Sequence, residues 1–225
     1  MTADLLSSAS PARCWVPRGV YRPQTDSLLL RRALRCEGVT GRTEVLDLCT
    51  GSGLLAVEAA RLGARVTAVD ISWRAVAAAR LNALLNGVPL RVRHGDLDSP
   101  LGPRRFDLVI TNPPYVPAPG DAVPKGSARA WDAGIDGRLL IDRICDATPA
   151  LLRSSGRMLM VHSDLCGVPD TLARLEDRGM RARVVDRTRL PFGRVLRSRL
   201  GWLHERGLAT SGDIEELVVI RAEHA

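Results

Sequence analysis

Four consecutive residues, Asn112 to Tyr115, form the pattern in this sequence that is most suggestive of chemistry. They read Asn-Pro-Pro-Tyr and directly follow an apolar stretch that begins at Phe106. Pro113 and Pro114 fix an extended turn without N–H donors, so the Asn112 side-chain oxygen and the Pro113 carbonyl can both act as acceptors. Two acceptors can grip both N–H bonds of an amide-like nitrogen, while Tyr115 stacks on its plane. These four residues are the predicted catalytic residues, and the predicted reaction is group transfer to such a nitrogen.

A second pattern lies upstream, where Asp47 ends a short apolar segment and two glycines, Gly51 and Gly53, follow it. Glycines after a strand let the backbone approach a ligand, and the next helix presents free N–H groups to that ligand. A dinucleotide site would have the spacing GxGxxG and would bind two phosphates, which the Asp47 carboxylate would repel. The carboxylate suits a cationic amino group, which favours the amino-acid end of S-adenosylmethionine.

Two further carboxylates end the next two predicted strands. Asp70 lies about twenty residues beyond the glycine turn, where a carboxylate can accept hydrogen bonds from both ribose hydroxyls. Asp96 can accept a hydrogen bond from an adenine amino group, and Leu97 can pack on the ring. We therefore predict S-adenosyl-L-methionine as the cofactor, with S-adenosyl-L-homocysteine as the product.

These residues are positioned by alternating strands and helices, which predict an α/β fold with a mostly parallel seven-stranded sheet and helices on both faces. Ligands of such sheets bind beyond the carboxyl ends of the strands. Thr25, Asp26 and Ser27 are N-cap candidates for a first helix that ends near Arg35. We divide the chain into an N-terminal arm and entry helix, residues 1–40, and a methyltransferase domain, residues 41–225. The predicted strands are 44–49, 65–70, 90–96, 106–112, 156–162, 181–187 and 214–222, and the predicted helices include 54–62, 136–152 and 168–178.

Composition narrows the class of protein. The chain has 225 residues, a net charge of +7 and five cysteines that form no CxxC pair, so zinc sites and disulfides are not expected. Its apolar runs are too short to span a bilayer, and no signal peptide is recognised, so we expect a cytoplasmic protein. The basic charge weakly favours acidic or nucleic-acid-bound partners.

Together these stretches resemble the HemK (PrmC) family of protein-glutamine N5-methyltransferases. The resemblance runs from about Val20 to Arg178 and rests on YRPQTDS, DLCTGSG, the two aspartates at strand ends, ITNPPYVP and RAWDAGIDGRLLIDRI. It implies a Rossmann-like class I methyltransferase that methylates the glutamine of a Gly-Gly-Gln motif in peptide-chain release factors. The cofactor site would then comprise Ser27, Asp47, Cys49, Gly51, Gly53, Asp70, Asp96, Leu97 and Asn112.

The sequence departs from the family pattern in three places. Cys49 stands where the family usually has glycine, which predicts a tighter fit to the cofactor. The long N-terminal helical domain of the bacterial enzymes is missing, as in the short branch that in eukaryotes works with a small zinc-binding activator subunit. Residues Leu190–Gly207 look inserted, with arginines 194, 197, 199 and 206 beside Phe192 and Trp202. This insertion is either a solvated amphipathic element or a substrate-docking lid.

Three other functions remain open at this stage. An N6-adenine nucleic-acid methyltransferase would use the same acceptor geometry on a flipped base, although the chain has little room for a recognition region. A small-molecule N-methyltransferase would be compatible with the missing domain and the insertion. A non-catalytic binding subunit is disfavoured by the intact Asp47, Asp70, Asp96 and Asn112.

Overall fold

A single seven-stranded sheet organises the molecule, whose computed structural model describes residues 12–120, 126–209 and 213–225. The spatial order of the strands is β3-β2-β1-β4-β5-β7-β6, and only β7 runs antiparallel to its neighbours β5 and β6. The predicted mostly parallel α/β sheet is therefore confirmed. The strands are β1 (Glu44–Leu48), β2 (Arg65–Asp70), β3 (Arg91–His94), β4 (Phe106–Thr111), β5 (Leu152–Ser163), β6 (Met180–Pro191) and β7 (Ile214–His224).

Helices cover both faces of this sheet, as the sequence predicted. They are α1 (Thr25–Arg35), α2 (Leu54–Arg61), α3 (Trp73–Leu85), α4 (Leu139–Leu151), α5 (Val168–Asp177), α6 (Arg194–Ser198) and α7 (Leu200–Glu205). One apolar core joins α1, α2 and α3 to one face of the sheet, and a second joins α4 and α5 to the other. Because both faces are covered, the central strands are nearly continuous apolar runs.

Strand order reverses between β1 and β4, which pair in parallel in the middle of the sheet. The loops that leave these two strands diverge to opposite sides, so a crevice opens beyond their carboxyl ends. The glycine turn follows β1 and the Asn-Pro-Pro-Tyr turn follows β4, which places both predicted motifs at this crevice. The antiparallel β7 begins at the same edge, so its first residues also reach the crevice.

The start of α1 differs from the prediction. Gln24 occupies the N-cap position and makes no capping hydrogen bond through its side chain, while Thr25, Asp26 and Ser27 lie inside the first turn. The physical reason is that Asp26 and Ser27 are turned inward and bonded to residues of the crevice. By contrast, Ser72 caps α3 as predicted, because its hydroxyl accepts a hydrogen bond from the Ala75 N–H at 3.4 Å.

Several predicted boundaries shift by a few residues. Helix α4 begins at Leu139 because the Asp136 carboxylate accepts the Arg138 N–H at 2.9 Å and closes a turn first. Strand β3 ends at His94, so Asp96 lies in the following loop. Strand β6 continues to Pro191 by pairing with β7, which absorbs the first residues of the predicted insertion.

The predicted loose arm before Gly19 is partly fixed. Residues 1–11 lie outside the described part of the chain. The Asn82 side chain on α3 accepts the Trp15 N–H at 2.7 Å and donates to the Trp15 carbonyl at 2.8 Å. Asn82 also donates to the Ser52 carbonyl at 2.8 Å, so the arm is held against the glycine turn. Among the described residues, no helix is long and apolar enough to cross a membrane, and no acidic, histidine and cysteine cluster could hold a metal ion.

Candidate active site

A cavity of about 490 Å³ lies at the reversal point of the sheet. This volume is within the range of small-molecule and cofactor sites. The loops after β1, β2, β3 and β4 form one side, and the segment before α1, the start of β7 and the inserted segment form the other. Of the residues predicted for the site, those that line the cavity are Ser27, Cys49, Gly51, Asp70, Asp96, Leu97, Asn112, Pro113, Pro114 and Tyr115.

Asp47 and Gly53, the remaining predicted residues, lie behind the glycine turn rather than on the cavity wall. The buried Asp47 carboxylate accepts the Thr50 hydroxyl at 2.6 Å and so fixes the turn from below. Burial raises the pKa of Asp47 to about 7. At Gly53 the φ angle is +81°, and a Cβ atom there would lie 2.8 Å from that of Ala79. Gly53 therefore lets α2 pack closely on α3.

The backbone of the glycine turn leaves room for a ligand to approach it closely. Gly51 has a φ angle of +55°, and a Cβ atom at this position would meet nothing within 4 Å. Cys49 has a φ angle of +58°, so the cysteine keeps the left-handed conformation that usually favours glycine. The backbone conformation that a close approach requires is thus kept at Cys49, with a half-buried thiol added to the wall.

Asp70 and Asp96 follow one another along the carboxyl edge of the sheet. Asp70 accepts the Gly51 N–H at 2.9 Å and the Ser72 N–H at 2.8 Å, which orients its carboxylate across the turn. Burial raises the pKa of Asp70, and these two backbone N–H groups oppose the rise. The half-exposed Asp96 pairs with Arg143 at 2.9 Å, an exposed contact that contributes little energy and leaves other lone pairs open.

Asp26 lies at the centre of the cavity side formed by α1 and the Asn-Pro-Pro-Tyr turn, which we call the acceptor side. Its Oδ2 atom accepts hydrogen bonds from Tyr21 Oη at 2.7 Å, Asn112 Nδ2 at 3.0 Å and Tyr115 Oη at 3.1 Å. Ser27 Oγ accepts a further hydrogen bond from Asn112 Nδ2 at 3.2 Å. A carboxylate can only accept, so the Asn112 amide must present its NH₂ group to α1. Its Oδ1 atom is then left as the acceptor for a ligand.

The two tyrosines on Asp26 remain neutral. Burial raises the pKa of Tyr115 well above its usual value, and the nearby Asp26 carboxylate adds to this effect. The pKa of Tyr21 is raised by the same two causes. The backbone of the turn is held as well, because the Cys166 thiol donates to the Tyr115 carbonyl at 3.0 Å. The acceptor side is therefore fixed from three directions: α1, the loop after β5 and the turn itself.

The insertion forms a wall of the cavity. Its helices α6 and α7 bury Phe192, Leu196 and Leu203 in a small core of their own, which also includes Val116 from the loop after β4. Arg199 turns inward, bonding to the Pro117 carbonyl at 2.9 Å and to Asp132 at 2.7 Å. Arginines 194, 197 and 206 are exposed, and residues 193–196 line the cavity.

Sequence reasoning missed three residues of the site. Asp26 was read as a helix cap, and Tyr21 was noted only as part of the entry segment. Glu215 was placed in the last strand without a role, although it is buried and lines the cavity. One signal was available for Glu215: alternation along β7 places it on the same face as the buried Leu217 and Val219.

The polar groups that line the cavity suit S-adenosylmethionine. The Asp70 carboxylate at the end of β2 and the Asp96 carboxylate in the loop after β3 suit a ribose and an adenine amino group, and the glycine turn after β1 lies beside them. Asp70 and Asp96 place carboxyl groups on the cavity wall next to the glycine turn, which favours a positively charged sulfonium. On the facing wall, the hydrogen bonds of Asn112 Nδ2 to α1 leave its Oδ1 atom as an acceptor, and Pro113 has no N–H to donate. The arrangement can hold a methyl donor on one side and an N–H-bearing acceptor on the other.

Methyltransferases are among the proteins that this chain is similar to in sequence and structure, as the chemistry of the cavity predicts. Residues 23–124 match the methyltransferase small domain family. A putative protein N5-glutamine methyltransferase of Methanocaldococcus jannaschii is 33% identical over 180 residues, which cover 79% of this chain and 89% of the relative. A release factor glutamine methyltransferase of Deinococcus radiodurans is 37% identical over 78% of this chain, which spans only 63% of that relative's length.

Two solved structures extend the comparison. One is a chain of the E. cuniculi Mtq2–Trm112 complex, which is responsible for methylation of the eRF1 translation termination factor. It superposes with a TM-score of 0.66 and 26% identity, and the match covers 92% of this chain and 99% of that chain. The T. thermophilus 16S rRNA N2 G1207 methyltransferase, solved with AdoMet and guanosine, has a TM-score of 0.60 and 25% identity, covering 91% and 44%. From the archaeal relative, the fold and the cavity together, we conclude that this chain belongs to the protein N5-glutamine methyltransferase family, whose members are class I methyltransferases that use S-adenosylmethionine.

Proposed function

We propose that this protein methylates the side-chain amide nitrogen of a glutamine in a peptide-chain release factor. The observation that carries the proposal is the contact of Asn112 Nδ2 with Asp26 and Ser27, which leaves the Asn112 oxygen as an acceptor beside the Pro113 carbonyl. A primary amide has two N–H bonds, and this turn offers two acceptors for them. The names of the Deinococcus and E. cuniculi relatives support the choice of acceptor protein.

S-adenosylmethionine supplies an electrophilic methyl group on a positively charged sulfur. Asn112 and Pro113 hold the acceptor nitrogen by its two N–H bonds, which directs its lone pair out of the amide plane. Tyr115 walls in the planar amide, and Asp26 keeps both Asn112 and Tyr115 in place. Methyl transfer would release S-adenosyl-L-homocysteine, and the methylated nitrogen, now strongly acidic, would lose one proton to water. No strong base is therefore needed before attack, and positioning supplies most of the rate.

We assign the cofactor contacts from the same geometry. The residues that would contact S-adenosylmethionine are Ser27, Cys49, Gly51, Asp70, Asp96, Leu97 and Asn112. Asp47 and Gly53 would support the turn from behind.

Residues 1–40 would contribute the arm and the entry helix, and residues 41–225 the methyltransferase domain. We propose a small activator subunit as a partner of the chain, because the E. cuniculi relative was solved in a complex with Trm112. We propose the cytoplasm, where translation factors work, as the site of action.

Removing the Asp70 carboxylate is expected to weaken cofactor binding. Asp70→Ala should raise the Kd for S-adenosylmethionine about 30-fold, since hydrogen bonds to a charged group contribute roughly 2 kcal/mol. The same change frees the Gly51 N–H and loosens the turn. Isothermal titration calorimetry measures the effect. Asp98→Ala is the matched control, because Asp98 is an exposed carboxylate two residues beyond Asp96, and an equal Kd for both variants would contradict the assignment.

The proposed acceptor is tested by transfer of labelled methyl from S-adenosylmethionine to a release factor that carries Gly-Gly-Gln. We expect label on the wild-type factor and none on the variant in which the glutamine is replaced by alanine. Equal labelling of both factors would exclude this glutamine as the acceptor. No labelling by an enzyme that binds the cofactor, tested with and without a small zinc-binding activator, would reject the release-factor proposal.

A further inference from the structure

Glu215 is a buried carboxyl group in the acceptor side of the cavity. It is the second residue of β7, pairs in register with Leu190 of β6, and is 7% exposed. The cavity wall around it includes Tyr21, Asp26 and Tyr115, so it stands beside the residues that orient the catalytic turn. The proposed mechanism gives this group no role.

One oxygen of Glu215 lacks a partner. Its Oε2 atom is buried and receives no hydrogen bond from the described residues, while the Ser163 hydroxyl lies beside the carboxyl group. A buried acceptor without a donor is unfavourable, because it has given up its hydrogen bonds to water without gaining others. A fold keeps such a group when a ligand supplies the missing donor, because the cost is then recovered on binding. The position therefore indicates a contact with the acceptor molecule.

We propose that Glu215 is a specificity-determining residue that accepts a backbone N–H from the protein segment beside the methylated glutamine. This inference rests on the proposed function of the site. Asn112 and Pro113 already serve the two side-chain N–H bonds of the glutamine, so the donor for Glu215 comes from the adjoining chain. Every residue there except proline carries a backbone N–H. The apolar Leu190 and Leu217 flank Glu215 and favour a short, uncharged segment.

The charged and titratable groups around Glu215 define how it responds to pH. Asp26 faces it from α1 and Asp164 from the turn after β5, and both carboxylates oppose its ionisation. Tyr21 and Tyr115 also lie close, and their raised pKa values keep them neutral, as does that of the Cys166 thiol. Burial is the largest cause that raises the pKa of Glu215, to about 7.

Initial rates with the release factor test the contact. Glu215→Ala should raise KM for the factor about 10-fold, equivalent to one hydrogen bond of roughly 1.4 kcal/mol, with kcat within about twofold and an unchanged Kd for S-adenosylmethionine. Glu216→Gln is the matched control, because this neighbour points to the other face of β7 and pairs with Arg187 and Arg189. A KM for Glu215→Ala equal to that of the control would overturn the proposal.

The conservative variant Glu215→Gln provides a pH readout that a structural role would not produce. An N–H donor binds the carboxylate more tightly than the neutral acid, so KM of the wild type should rise as pH falls below about 7. KM of Glu215→Gln should not change over this range. The same pH dependence in both proteins would show that another group is responsible.

Thermal unfolding tests Glu215 without any acceptor. A carboxyl group with a raised pKa binds more protons in the folded state, so its presence lowers stability as pH rises from about 4.5 to 7. Glu215→Gln should therefore have an equal or higher Tm at pH 8, with a smaller difference at pH 5. A lower Tm at pH 8 would identify Glu215 as a structural hydrogen-bond partner and overturn the inference. If the release factor is not methylated at all, the proposed function fails and the inference fails with it. If the factor is methylated and Glu215→Ala leaves its KM unchanged, only the inference fails.

Discussion

Replacing Asn112 by alanine is expected to reduce kcat for methyl transfer roughly 1,000-fold, because the acceptor nitrogen loses one of the two groups that grip it. The Kd for S-adenosylmethionine should stay within a few fold, since the carboxylates and the glycine turn are intact. Single-turnover kinetics with labelled cofactor, together with calorimetry, separate the two effects. This pattern of lost turnover with retained binding is the main expectation of the proposed mechanism.

The control for this experiment is Asn86→Ala. Asn86 also uses its side-chain amide in hydrogen bonds, to the backbone of Arg13 and Asn82, but it lies outside the cavity. Its variant should retain normal kcat. If Asn112→Ala turned over at the wild-type rate, the side-chain amide would have no part in transfer and the proposed mechanism would be wrong.

Replacing Asp26 by alanine should lower kcat about 100-fold, although Asp26 is not proposed to bond to the reacting atoms. Three donors lose their shared acceptor, so the Asn112 amide can rotate and Tyr115 can leave its position. A displacement of about 1 Å in a positioning group typically has an effect of this size. Cofactor affinity should change little. We expect stability to fall by about 1–3 kcal/mol in urea unfolding, since the donors are partly buried.

Two related variants distinguish orientation from general damage to the fold. Ser27→Ala removes only the weaker of the two hydrogen bonds that orient Asn112, at 3.2 Å, and should reduce kcat by less than about tenfold. Asp26→Asn keeps one acceptor oxygen and should lie between the alanine variant and the wild type. Equal rates for Asp26→Ala and Ser27→Ala would contradict a special role for the carboxylate.

Most of the fold could be predicted because strand periodicity and turn residues are local properties. The seven strands and their alternation with helices follow from apolar runs separated by Gly, Asn and Asp. The end of β6 was harder to predict from the sequence. Its extension to Pro191 depends on pairing with β7, a contact between segments that are distant in sequence. Similarly, the start of α1 could not be predicted, because Asp26 bonds to the far side of the crevice instead of capping its own helix.

The site divides in the same way. Asp70, Asp96 and Asn112 could be placed on the cavity wall because each lies at, or just beyond, the end of a strand at the carboxyl edge of the sheet. Asp47 and Gly53 were correctly assigned to the glycine turn after β1. Their positions behind this turn, away from the cavity, depend on how α2 and α3 pack. Glu215 and Asp26 reach the cavity from near the two termini, and no local pattern relates them to each other. Their role depends on tertiary burial, which a single sequence does not reveal.

The two sides of the cavity also differ in how their residues are distributed along the chain. The wall assigned to the cofactor is drawn largely from one stretch, between Cys49 and Leu97. The opposite wall combines residues from α1, the Asn-Pro-Pro-Tyr turn, the inserted helix α6 and β7, which are far apart in sequence. Evolution can therefore exchange or lengthen α6 and α7 without disturbing the stretch that we assign to the methyl donor. Such an architecture lets a lineage acquire a new methylation target while it keeps an inherited donor site.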